Sequence, residues 1–152
     1  MFRNPIYKYL SKNDLQEITS EVKQFETHTL CQLKICLRYK RGIHQKSKTP
    51  KELALYEFHK LKVQKTKLRN GILLFILFKE RKLEILFDSG LKEILSEQDW
   101  NICKDLILND FKINKYKEGL IELIRSLTEK INGKFLTGTE NTNEISDDIV
   151  IK

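Results

Sequence analysis

The chain has 152 residues, 40% of them hydrophobic and 32% charged, which suits one well-solvated domain and is short for two. Six glycines and two prolines exclude collagen-like or low-complexity chains. The longest apolar run, residues 72–78, is far below the roughly 20 residues of a membrane-spanning helix. The formal charge of +7 is uneven: residues 38–82 hold 14 of the 28 Lys and Arg but only Glu52, Glu57 and Glu80.

From the N-terminus, Met1-Phe2-Arg3-Asn4-Pro5 has no apolar leader pattern, and the three cysteines do not suggest a disulfide framework. Both features lead to the expectation of a reduced, cytoplasmic protein. Ser11 followed by Asp14 predicts a helix start, and Leu15, Ile18, Val22 and Phe25 give it one apolar stripe as far as Glu26. Leu33, Ile35 and Leu37 alternate with Lys34, Cys36 and Arg38, the period of a strand with one buried face. Residues 39–48 are cationic and read as an exposed loop.

Thr49-Pro50-Lys51-Glu52 predicts a second helix with a capping box, running to about Leu61 and burying Leu53, Ala54, Phe58 and Leu61. Residues 62–70 are basic and irregular. Residues 71–78 then read as a strand buried on both faces, and Leu83, Ile85 and Phe87 as its hairpin partner after Lys79-Glu80-Arg81. Ser96 to Asp99 predicts a cap for a helix whose inner face holds Trp100, Cys103, Leu106 or Ile107, and Phe111. A last helix after Asn114 carries Leu120, Leu123, Ile124, Leu127 and Ile131 on one stripe. Residues 1–132 thus form one domain, and the polar residues 133–152 are expected to be a flexible tail. Helices packed on a small mixed sheet predict an α/β fold.

Little familiar chemistry is present. His28, His44 and His59 lack zinc-type spacing, and Cys31 and Cys36 fall on opposite strand faces. No nucleophile elbow, P-loop or dinucleotide fingerprint occurs. The hairpin, however, brings Arg69 and Asn70 beside Asp88, Ser89 and Gly90 at one end of the sheet. Asp88 and Asn70 there are candidate catalytic residues, and Asp88 is the candidate metal ligand. Arg69, Ser89 and Gly90 could orient an anion. A plain loop cap is the competing reading, with Asp88 and Asn70 bonded to backbone. Arg38, Lys40, Arg41, Lys65 and Lys67 are further candidates for contact with an anion or partner, if the fold gathers them.

Arg69-Asn70-Gly71-Ile72-Leu73-Leu74-Phe75, the pair Arg81-Lys82, and Ile85-Leu86-Phe87-Asp88-Ser89-Gly90-Leu91 resemble the core of the TPM domain, or TPM phosphatase, family. Trp100, Phe111 and Tyr116-Lys117-Glu118-Gly119-Leu120 follow in the family's order, and Leu10-Ser11 and Glu26-Thr27-His28-Thr29 fit upstream. The resemblance spans residues 10–132. It implies a three-layer α/β/α sandwich with about four helices, together with acid phosphatase activity or calcium binding in some members and upkeep of membrane complexes in others. Two departures remove negative charge: Arg69 stands where the family often has an acid, and Cys31-Gln32 where bacterial members tend to have Gly-Glu. The expectation is therefore a non-catalytic interaction module with a depleted cation site, whose partner is a protein or membrane complex. One alternative is a phosphate monoesterase using calcium or magnesium. Another is binding of nucleic acid or anionic lipid through residues 38–82.

Overall fold

A computed structural model describes residues 3–134 and 145–152. Helix α1 (Lys12–Thr29) starts at Ser11, whose hydroxyl accepts from the Asp14 amide while the Asp14 carboxylate accepts from the Ser11 amide. It ends at Leu30, held in the left-handed region with φ 62°. Strand β1 (Gln32–Arg38) follows, then helix α2 (Pro50–Lys60). Thr49 caps α2 as expected, accepting from the Glu52 amide at 3.1 Å. The Glu52 carboxylate lies 4.0 Å from Lys48, an i,i+4 pairing in place of the anticipated reciprocal contact.

Strands β2 (Gly71–Leu77) and β3 (Lys82–Phe87) form the predicted antiparallel hairpin, with Ile72 opposite Phe87 and Leu77 opposite Lys82. Helices α3 (Glu97–Lys112) and α4 (Tyr116–Ile131) come next, and α3 carries the Ser96–Asp99 capping box. A short strand β4 (Val150–Ile151) completes a mixed sheet of order β3-β2-β1-β4, in which β1 runs parallel to both β2 and β4.

The alternation of β2 divides the core between two layers. Ile72, Leu74 and Ile76 face α1, α3 and α4 together with Leu33, Ile35 and Leu37 of β1. Leu73, Phe75 and Leu77 face α2, packing with Cys36, Leu53, Ala54 and Phe58. The result is the expected α/β sandwich, with helices on both sides of a small open sheet. Cys31 joins the first layer and Cys36 the second, the opposite placement that strand parity requires.

Two readings change. Strand β1 is buried on both faces, because α2 and the C-terminal segment cover the side that Lys34 and Cys36 occupy. The expected flexible tail is also revised over its last eight residues. Residues 135–144 lie outside the described ones, but residues 145–152 return to the sheet. Ile145 is buried, the Lys152 amide donates to the Leu37 carbonyl at 2.9 Å, and Val150 pairs with Cys36. The apolar run Ile149-Val150-Ile151 is too short to give a sequence period, so the strand was hidden at the end of a polar segment.

Candidate functional site

The N-terminal ends of β1 and β2 and the C-terminal end of β3 meet at one edge of the sheet. Gly71 opens β2 under the preceding loop; a Cβ there would stand 2.3 Å from the Val63 carbonyl oxygen. Beside it, the Asp88 amide donates to the Gly71 carbonyl at 3.0 Å and the Gly90 amide to the Arg69 carbonyl at 2.8 Å. Gly90 sits so close to this crossing that a Cβ would approach the Leu68 carbonyl oxygen to 2.2 Å. Ordinary van der Waals radii forbid any side chain at either position. The hairpin therefore brings together the Arg69, Asn70, Asp88, Ser89 and Gly90 that its topology predicted.

Their hydrogen bonds are mostly local. Asn70 is buried; its side-chain Nδ2 donates to the Leu30 carbonyl at 2.7 Å, and its amide donates to the Thr66 hydroxyl at 3.1 Å. Asp88 Oδ1 accepts from the Ser89 amide at 2.7 Å, capping a short 3-10 turn (Ser89–Leu91). Its Oδ2 has no hydrogen-bond partner and faces Arg69 Nη1 at 3.6 Å. The same Nη1 donates to the Gln64 carbonyl at 2.9 Å. These are the bonds of the loop-cap reading.

A hard cation wants several oxygen ligands, usually with more than one carboxylate. This edge offers one carboxylate, with a guanidinium across from its open oxygen. Among the described residues, no group of three or more His, Cys, Asp or Glu could share a metal ion. The described residues at this edge do not fit calcium or magnesium.

The basic candidates separate. Residues 39–48 leave the C-terminal end of β1, whereas residues 62–70 enter the N-terminal end of β2, and those ends lie across the length of the parallel pair. Seven residues of strand put the two segments about 20 Å apart. Arg41 is committed internally: its Nε and Nη2 each meet Glu80 at 2.7 Å, and its Nη1 donates to the carbonyls of Gln45, Lys46 and Lys48. Arg38 lies 3.9 Å from the buried Glu57. Lys40, Lys65 and Lys67 are exposed. The predicted cationic stretch thus divides into two ends and a set of internal ties.

Two features escaped the sequence reading. One is a buried polar cluster where the C-terminal segment docks. Lys34 Nζ donates to the Ser146 and Asp148 carbonyls at 3.0 and 2.7 Å, and the Ile145 amide donates to Gln32 Oε1. Glu26 accepts from the Leu33 amide at 2.9 Å. Burial and a hydrogen bond with Asp147 push the Glu26 carboxyl up to about 9, while burial lowers Lys34 from the ordinary lysine value. The other feature is a cavity of about 530 Å³ at the opposite end of the hairpin, walled by Tyr9, Phe78, Phe111 and Tyr116. These rings are scattered through the sequence; periodicity placed Phe78 in a buried strand and Phe111 on an inner helix face, but nothing in their spacing joined them to Tyr9 and Tyr116.

The TPM domain model matches residues 7–130. The chain belongs to the TPM domain family. Among solved structures, this TPM domain is similar to the BA42 protein of the psychrophilic bacterium Bizionia argentinensis, at 22% identity and a TM-score of 0.81, over 95% of this chain and 96% of that one. It is also similar to the N-terminal domain of a P. gingivalis protein, at 17% identity and a TM-score of 0.71, over 87% and 82% of the two chains. A Corynebacterium glutamicum N-terminal domain matches at 8% identity and a TM-score of 0.63, over 92% and 86%. At these identities the likeness is one of fold. No curated protein matches significantly. No described helix of this TPM domain is long and apolar enough to cross a membrane.

Proposed function

We propose that this TPM domain is a non-catalytic interaction module, serving a protein or membrane complex, whose cation site has been replaced by an internal ion pair. The observation that supports this reading is the Arg69–Asp88 contact of 3.6 Å. A positive charge from the chain itself stands over the single carboxylate that the hairpin end supplies. A guanidinium there repels a divalent cation. It also leaves Asp88 no second acid with which to divide acid and base roles. Asn70, the other catalytic candidate, spends its amide on the Leu30 carbonyl and acts as a brace between β1 and β2.

Arg69, although tied to Asp88, and Ser89 remain exposed at this edge, where a partner can reach them. The test is an isothermal titration of calcium and of magnesium into the protein, with p-nitrophenyl phosphate hydrolysis measured alongside. The expected result is no saturable heat and no turnover. Micromolar calcium binding, or hydrolysis that Asp88→Ala abolishes, would overturn the reading.

A further inference from the structure

We propose that the aromatic cavity at the turn end of the hairpin binds a small organic anion with a flat apolar body. This goes beyond the reading of the Asp88 edge and is independent of it, since the cavity lies at the other end of β2 and β3.

The walls come from three parts of the chain. Tyr9 stacks on Phe78 with ring centroids 4.5 Å apart. Tyr116 meets Tyr9 and Phe111 edge-on, each at 5.1 Å. Ile76, Leu83 and Leu108 complete the apolar lining. Tyr9, Phe111 and Tyr116 are half-buried and Phe78 is buried, and all four line the cavity in addition to packing among themselves. A volume of about 530 Å³ falls within the usual range for small-molecule sites. Aromatic walls favour a planar apolar body, because offset and edge-to-face contacts add to simple burial.

The rim decides the charge. Arg81 and Lys82 from the hairpin turn and Lys112 from the end of α3 all line the cavity, against a single acid, Asp105. None of the three cations forms an ion pair with a described residue. By contrast, Arg41, Arg69 and Arg125 are all paired. Unpaired cations at the mouth of an apolar cavity raise the local concentration of anions and hold a carboxylate or phosphate at the rim. Asp105 and the carbonyl end of α3 oppose this attraction, but the cations outnumber the acid. Arg81 also keeps φ at 54°, a backbone region where Gly or Asn is the ordinary hairpin choice.

The test is an amide NMR titration of the whole chain with three probes that share one ring system: 2-naphthyl phosphate, naphthalene-2-carboxylate and neutral 2-naphthol. The expected result is that at least one anion binds, shifts the signals of Phe78, Arg81, Phe111 and Tyr116, and binds at least about fivefold tighter than naphthol, the share of one charge-assisted hydrogen bond. Which anion binds assigns the head group. Arg81→Gln, with Lys112→Gln as a second variant at another element, should bring anion affinity down toward that of naphthol while the rest of the spectrum stays native. The proposal is overturned if naphthol binds as tightly as both anions. Shifts centred on Asn70 and Ser89, or no binding at millimolar probe, overturn it too.

Discussion

Arg69 and Asp88 face each other across the open end of the β2–β3 hairpin, with Nη1 3.6 Å from Oδ2. The arginine side chain is 58% exposed and the aspartate 14%, so their attraction contributes little to stability. Its consequence is local. The hairpin register fixes the pair, and the positive member sits where a bound cation would need a second negative oxygen.

Arg69→Asp should therefore create calcium affinity where the natural chain has little. The backbone favours the change: φ at Arg69 is 51°, a region that Asp tolerates better than a long side chain. Calcium titration should show binding at least about tenfold tighter than in the unaltered protein, equivalent to roughly 1.4 kcal/mol. Arg69→Gln serves as the control, because it removes the guanidinium without adding a carboxylate. Equal heats in all three proteins would show that the pair does not govern the site.

Glu26 gives a pH dependence whose sign can be worked out. Burial first, then the hydrogen bond with Asp147, raises its carboxyl from 4.5 to about 9 in the folded chain. Between those values the native state holds a proton that the unfolded chain has lost, so stability falls as pH rises from about 4.5 to about 9. The slope from one such group is at most about 1.4 kcal/mol per pH unit. Glu26→Gln keeps an acceptor for the Leu33 amide and cannot ionise. Urea unfolding at several pH values should show a flatter profile for this variant, with its gain over the natural chain growing as pH rises toward about 9. Parallel profiles for the two proteins would contradict the assignment.

Removing residues 145–152 should destabilise the chain and expose a thiol. The segment covers Cys36, which is fully buried and whose thiol is pushed up to about 12 by that burial and by Glu57. It also carries Lys152, 2.9 Å from the buried Glu57, and the carbonyls that hold Lys34. Leaving a buried charge without its partner costs about 3–5 kcal/mol, so a loss of at least that order is expected in denaturant unfolding. Labelling with a thiol-specific disulfide reagent under native conditions should be slow at all three cysteines of the full chain and fast at Cys36 after truncation. Unchanged labelling would mean that the segment does not protect β1.

Most of the layer architecture was legible because it depends on local rules. Ser11, Thr49 and Ser96 mark helix starts through hydroxyl groups that accept orphaned amides, and all three cap where expected. The unbroken apolar run at 71–78 announced a strand covered on both faces, and its polar turn announced the partner. From that pairing alone, the meeting of Arg69, Asn70, Asp88, Ser89 and Gly90 followed, since antiparallel register places the start of one strand beside the end of the next.

What those residues do to one another was decided by the tertiary structure. Whether Asp88 faces solvent, a cation or Arg69 depends on side-chain positions that no spacing encodes. Strand β4 depends on contacts more than 100 residues apart in sequence, where Lys34 reaches Ser146 and Asp148, and a run of three apolar residues carries no readable period. The aromatic cavity is equally non-local, drawing Tyr9 from before α1, Phe78 from the hairpin and Tyr116 from α4. Likewise, the charge sum of residues 38–82 was fixed by composition. Its division between opposite ends of the sheet was fixed by the parallel pairing of β1 and β2, which carries the two basic loops to opposite ends of the same strands.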